Sequence, residues 1–259
     1  MPFTISHAAA AFPFRRTRLV LSALIVGCCA PDFEYFIPFE HHGAFGHTLP
    51  GVFILDLPLS LLVLWLFHSY AKEPLAACLP ASARARLKLG PRTLAIKSFS
   101  RFLLILVSIL IGIATHIFWD SFTHTNYWIS EHLHFLGIYV SLPLFGPRSI
   151  ADILQYFSSA FGIVVLCLWG MHWYRHAEPL SSPPNWNAVR IDRIAIGCSF
   201  LIALIAALIR AASFGLPNGV HGAQRFMTKA AITGIAAFCF QIVIYSIVRH
   251  NAQNIADPV

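Results

Sequence analysis

Five apolar stretches dominate the chain: Gly51 to Phe67, Phe102 to Trp119, Ile153 to Trp173, Ile194 to Ile209 and Ala230 to Val248. Each reaches or approaches the ~17–25 residues a helix needs to cross the hydrocarbon of a bilayer. The fourth, bounded by Arg193 and Arg210, lies at the short end, where long cationic side chains extend outward to the interface. A sixth stretch, Leu19 to Pro31, is too short to cross and reads as a re-entrant or interfacial helix packed against the others. Ser181 to Asn187 is a Pro/Ser/Asn turn region between spans, and no internal repeat or low-complexity tract divides the chain. The pattern predicts an all-α, polytopic membrane bundle forming one domain. It has about five full spans plus one short N-terminal helix, with the motif-bearing part in residues 1–170 and two further spans in 171–259.

Composition agrees. The chain is 57% apolar and 11% charged, against about 25% charged in soluble domains, so the bilayer is its solvent. Between His68 and Arg101 stand Lys72, Arg84, Arg86, Lys88, Arg92, Lys97 and Arg101 against one acid, Glu73. The positive-inside rule places that loop in the cytoplasm, and with it Arg249 and the C-terminus. The segments Phe45 to Pro50 and Trp119 to Asp152 then lie at the outer face; Arg15, Arg16 and Arg18 fit this orientation poorly. The net charge of +7 is accounted for by such loops. No nucleic-acid motif accompanies it, so membrane lipids rather than nucleic acid are the expected partners. Arg15 to Arg18 and the apolar run ending at Cys28 imitate a lipoprotein signal, but the basic region starts late. The six cysteines are scattered singly, apart from adjacent Cys28 and Cys29, and read as small fillers.

Chemistry concentrates at one place. His116, Asp120 and His124 recur every four residues in Thr115-His116-Ile117-Phe118-Trp119-Asp120-Ser121-Phe122-Thr123-His124. On one helix they share a stripe, and imidazole and carboxylate four residues apart can reach one metal ion. The alternative is a helix end in the headgroups, with His hydrogen-bonded to Asp. A second cluster, Asp32, Glu34, Glu40, His41, His42 and His47, precedes the first full span, and the expected topology brings His47 to the face of His116 and Asp120. Asp56, alone inside the first span, must be protonated, paired or supporting the site. Asp152, Gln155, Ser158 and Ser159 could orient ligands or substrate, or join helices as polar glue. His172 and His176 read as interfacial, and His132 and His134 stay unassigned.

At these residues the chain resembles a bacterial membrane-protein family known only as a domain of unknown function. The shared pattern comprises the Met-Pro-Phe-Thr-x-Ser-His start (Met1 to His7), Ala-Pro-Asp-Phe-Glu-Tyr (Ala30 to Tyr35) and Gly-His-Thr-Leu-Pro-Gly (Gly46 to Gly51). It continues with His-x-x-x-Asp-x-x-x-His (His116 to His124) and Leu-Gln-x-x-Ser-Ser (Leu154 to Ser159), covering roughly the first 170 residues. That family looks like a relative of the LexA-regulated, membrane-bound, metal-dependent hydrolase-like proteins. More distantly it is similar to the zinc-dependent phospholipase C and single-strand nuclease group. The resemblance implies His7, Asp32, His47, His116 and Asp120 as metal ligands, with His124 close by and Asp120 and His124 serving catalysis. Those relatives carry a basic residue and glycine just before the His-Ser/Thr pair. Here His42-Gly43 stands further from His47, so His41 and His42 are not carried over. His7 can join Asp32 only if Leu19 to Pro31 turns back instead of crossing.

The expected function is a hydrolase of the bacterial inner membrane using a divalent metal. Zinc suits imidazole and carboxylate donors, and iron or manganese also fit them. Its expected substrate is a lipid or lipid-linked phosphoester at the outer face. Two other classes compete: an ion, proton or metal transporter, and a membrane scaffold with a structural metal.

Overall fold

In the computed structural model the described residues are 4–37, 45–90, 93, 94, 96, 98–124, 127–143, 146–181 and 189–256. The apolar runs are helices: α1 Leu21–Cys29, α2 Leu49–Ala77, α3 Phe99–Thr123, α4 Ile150–His176, α5 Val189–Ala212 and α6 Gly219–Ala256. Five of them, α2 to α6, are long and apolar enough to cross a membrane. The fourth span is not marginal, because its polar ends stay helical and give 23 residues from Arg190 to Ala212. Local chemistry sets the starts. The Thr48 hydroxyl accepts the Gly51 N–H at the head of α2, and the Ser98 hydroxyl accepts the Arg101 N–H at the head of α3. Within α2, Val52–Asp56 and Phe67–Ala71 widen into π turns.

The contacts divide the chain into two compact units. The first comprises Met1–Tyr35, Phe39–Leu64 and Ile96–Arg175. In it α1 has 9 residues, a rise of about 14 Å against a core about 30 Å thick, so it cannot cross. It is flanked by 3₁₀ turns at Thr4–Phe14 and Ala30–Phe36, and the Thr4 hydroxyl donates to Asp32 Oδ2 at 2.6 Å. The segments before and after α1 therefore meet, as the re-entrant reading requires.

Two glycines let α1 lie directly on α3. A Cβ on Gly27 would stand 2.3 Å from the Ile109 carbonyl oxygen, and one on Gly112 would stand 2.4 Å from that of Leu24. Neither could be accommodated without moving backbone, which is the small-residue contact that membrane helices use. Leu24, Ile105, Ile109 and Ile113 are buried in the unit. Ser108 reaches across to accept the Val20 N–H at 2.9 Å, satisfying an orphan donor at the start of α1. Between α3 and α4 an antiparallel hairpin pairs β1 (Tyr139–Leu142) with β2 (Gly146–Ser149). Ser149 and Asp152 then exchange hydrogen bonds as a capping box for α4. Asp152 thus starts a helix, and the Ser158 and Ser159 hydroxyls donate to the Gln155 carbonyl of their own helix.

The second unit comprises Phe36–Pro38, Trp65–Ala95 and His176–Val259. Here α5 and α6 form an antiparallel pair, and Ala71, Ile196 and Ile242 make a small core. One end of the pair is polar. Asp192 Oδ1 accepts from Tyr245 at 2.6 Å and from Arg249 Nε at 2.7 Å, while an Arg249 terminal nitrogen lies 3.5 Å from Glu73. Arg84 and Arg193 both donate to the carbonyls of Ala77 and Leu79, where α2 ends. All six cysteines are free thiols.

Candidate metal centre

α3 supplies the floor of the site. His116 and Asp120 are one turn apart, with His116 Nε2 3.4 Å from Asp120 Oδ2. The helix stops at Thr123, so His124 does not continue the stripe as a third helical residue. It sits at the cap in extended backbone, with Nδ1 3.7 Å from Asp120 Oδ2 and its side chain 29% exposed.

Three other segments close on that floor. His7, from the first 3₁₀ turns, stacks its ring on His116 at 3.9 Å between centroids and brings Nε2 to 3.4 Å from Asp120 Oδ1. His47, just before α2, places Nε2 3.4 Å from Asp120 Oδ2. Asp32, just past α1, holds Oδ1 3.8 Å from His116 Nε2. Two overlapping groups result, His7 with His116 and Asp120, and Asp32 with His47 and His116, each with its donor atoms within 4.8 Å of one another. The structure therefore brings together all five residues expected as ligands. Glu40, His41 and His42 lie outside the described residues.

Neighbouring groups fix the donor atoms in place. His116 Nδ1 is 2.8 Å from the carbonyl of Cys28. An acceptor there fixes the proton on Nδ1 and leaves the Nε2 lone pair facing the cluster. Thr4 occupies Asp32 Oδ2 and leaves Oδ1 facing inward. His7 Nε2, His116 Nε2, Asp32 Oδ1 and Asp120 Oδ1 are all buried and lack a hydrogen-bond partner among the described residues. Four such atoms side by side are costly, since each would forfeit roughly 1–3 kcal/mol of solvation. Their spacing fits a metal site. Donors held at about 2.0–2.1 Å around one tetrahedral ion stand about 3.3–3.4 Å apart. Three His–Asp120 separations are 3.4 Å, long for hydrogen bonds and right for a coordination shell.

Electrostatics fit the same purpose. Burial, aided by the neighbouring His116, lowers the His7 pKa to about 3, so the imidazole is neutral and its lone pair available. Burial likewise lowers the pKa of His124. Burial raises that of Asp32, an unfavourable state for a carboxylate that a nearby cation would reverse.

Two further residues support the site without belonging to either group. Glu34 is buried and accepts the backbone N–H groups of Phe45 at 3.1 Å and Gly46 at 3.0 Å, which fixes the turn that presents His47. Thr4 orients Asp32. Their signal lay in the Met-Pro-Phe-Thr and Ala-Pro-Asp-Phe-Glu blocks, where they accompany His7 and Asp32. Asp56 is fully buried at the end of a π turn. A Cβ on Gly46 would stand 3.1 Å from its Oδ1, so it lies behind the residue preceding His47. His132, His134, His172 and His176 are exposed and take no part in either group.

The sequence pattern of a family described as a domain of unknown function, DUF4184, matches residues 1–247, and the chain belongs to that family. The match continues through α5 and most of α6, well past the first 170 residues. Neither a curated protein nor a solved structure matches the chain.

Proposed function

We propose that this member of the DUF4184 family is a membrane-embedded, metal-dependent hydrolase acting on a lipid or lipid-linked phosphoester at the outer face of the bacterial inner membrane. The observation that carries the reading is the convergence of four orphaned, buried His and Asp donor atoms at coordination spacing. His7, Asp32, His47, His116 and Asp120 would hold the ion or ions, and the imidazole and carboxylate set suits zinc, iron or manganese. A divalent ion held there supplies Lewis acidity and an acidified water for attack on a phosphoryl or acyl centre.

The chain's own groups do the rest. His124 is the partly exposed titratable group beside Asp120. Its Nδ1 lies 3.3 Å from the Asp120 carbonyl; with the proton there, Nε2 is the base that can take a proton from water. Asp120 faces His7 through one oxygen and His47 and His116 through the other, so it orients three imidazoles at once. Exposed Phe118 and Trp119 on α3, flanking His116 and Asp120 in sequence, offer an acyl chain apolar surface.

A structural metal is the second reading, favoured by how closed the donors are: His116 is 0%, Asp32 1%, Asp120 2% and His7 5% exposed. One experiment separates the readings. Detergent-purified wild type, His116→Ala and Asp120→Ala are compared for metal by elemental analysis and for turnover across a phosphoester panel. Stoichiometric metal and turnover in wild type, both lost in folded variants, are expected. Metal without turnover, with variants that fail to fold, would leave the structural reading. A well-folded, unchelated wild type without metal would remove both.

A further inference from the structure

The second unit has two polar ends of opposite character. At one, Arg249 is matched by Asp192 and Glu73. At the other, where α5 turns into α6, none of the cations forms an ion pair with an acid among the described residues. No Asp or Glu occurs from Arg193 to Ala256, yet Arg210, Arg225 and Lys229 all stand near that turn. Arg210 and Lys229 lie over the same Phe214 ring, at 4.4 Å and 5.0 Å from its centroid. A ring face offers an exposed cation only modest attraction, and two cations sharing one ring repel each other. Arg225 is one helical turn from Lys229, so both project from the same face of α6.

Beside them lies a cavity of about 280 Å³ whose lining includes Ala211, Phe214, Leu216, Asn218, Arg225 and Phe226. Its lining is mixed, with a guanidinium and an amide among aliphatic and aromatic side chains. Inorganic phosphate would leave those apolar walls unused, whereas an amphiphile uses both. The position sharpens the point. The positive-inside rule makes the α5–α6 turn an outer loop, where Arg and Lys are ordinarily sparse. Clustered cations at a membrane surface attract anionic headgroups, and a guanidinium can hold phosphate through paired hydrogen bonds.

We propose that the α5–α6 turn is a binding site for the phosphate headgroup of an anionic membrane lipid. Arg210, Arg225 and Lys229 meet the phosphate, and the Ala211, Leu216 and Phe226 walls take the glycerol and upper acyl chains. The site is independent of the His/Asp cluster.

The test is native mass spectrometry of the full chain in neutral detergent, incubated with phosphatidylglycerol or phosphatidylcholine of identical acyl chains. Preferential retention of phosphatidylglycerol is expected, weakening roughly fivefold for each cation removed. R225Q should lose one such step, the triple variant R210Q/R225Q/K229Q should approach the phosphatidylcholine level, and the charge-keeping R225K should retain most of the preference. Circular dichroism and monodisperse elution establish folding; if the triple variant fails them, R225Q alone decides. Equal retention of the two lipids, or full retention by folded R225Q, would overturn the proposal. Displacement of phosphatidylglycerol by inorganic phosphate would make free phosphate the ligand and overturn the lipid assignment.

Discussion

The Nδ1 of His116 lies 2.8 Å from the carbonyl oxygen of Cys28, and this one contact ties the end of α1 to the floor of the His/Asp cluster. A helix end leaves its last carbonyls unused. Here one of them fixes an imidazole tautomer, so the re-entrant helix both delivers Asp32 and points the Nε2 of His116 at it, 3.8 Å away.

Removing that alignment should weaken metal binding without abolishing it. Thr4→Val frees Asp32 Oδ2 from the Thr4 hydroxyl, which donates to it at 2.6 Å. The expected loss in metal affinity is about 10–100-fold, the usual cost of an outer partner. Asp32→Asn should cost more than Thr4→Val. Competition against a chelator of known affinity ranks the two, and equal affinities for wild type and Asp32→Asn would exclude Asp32 as a ligand.

Metal removal should also destabilise the fold. The five donors come from four separate chain segments, so an ion bound at 100 times its dissociation constant adds about 2.7 kcal/mol. Chelated protein should melt at lower temperature, with the difference restored by adding zinc, iron or manganese. In His116→Ala the chelator should make no difference to Tm.

Glu34 should behave as a support for His47. Glu34→Ala leaves the N–H groups of Phe45 and Gly46 without their acceptor, a cost of about 1–3 kcal/mol for the buried Gly46 donor and less for the part-buried Phe45 donor. Thermal melting should show this in apo-protein as well as in metal-loaded protein. A metal ligand would show its effect in the loaded form alone.

Gly112 should not tolerate a side chain. The 2.4 Å separation from the Leu24 carbonyl means that Gly112→Ala must push α1 off α3, at a cost of about 1–3 kcal/mol for overpacking. Because α1 carries Asp32, metal affinity should fall with stability. Gly170→Ala, with open space where the methyl would go, should leave both unchanged.

The buried carboxylate of the second unit gives an orthogonal check. Asp192→Ala strips Arg249 and Tyr245 of their shared acceptor. Leaving the partly buried arginine with the longer contacts to Glu73 at 3.5 Å and Gln253 at 3.4 Å should cost about 3 kcal/mol. Metal content should be untouched, since no residue of that network belongs to the cluster. Loss of metal in a folded Asp192→Ala protein would contradict this independence.

What the sequence determined by itself is what depends on local pattern. Long uninterrupted apolar runs read as helices in lipid, because a helix satisfies every backbone group within its own segment; all five spans were therefore legible. So was the His116–Asp120 pair, since a four-residue interval on a helix puts two side chains on one face. Their extents were less so: the cap at Thr123 and the helical polar ends at Arg190 and Gly219 depend on flanking contacts that hydropathy does not register. The tertiary structure alone decided the convergence. His7, Asp32 and His47 lie far from α3 in sequence and meet it only because Gly27 and Gly112 let α1 turn back against α3. The parts of Thr4 and Glu34 were hidden for the same reason, as each acts by a hydrogen bond to a residue on another segment. Ser108 and Asp192, plain polar residues in the sequence, likewise take their roles from partners 88 and 57 positions away. Hydrophobic periodicity is a property of neighbours along the chain; a coordination shell is a property of neighbours in space.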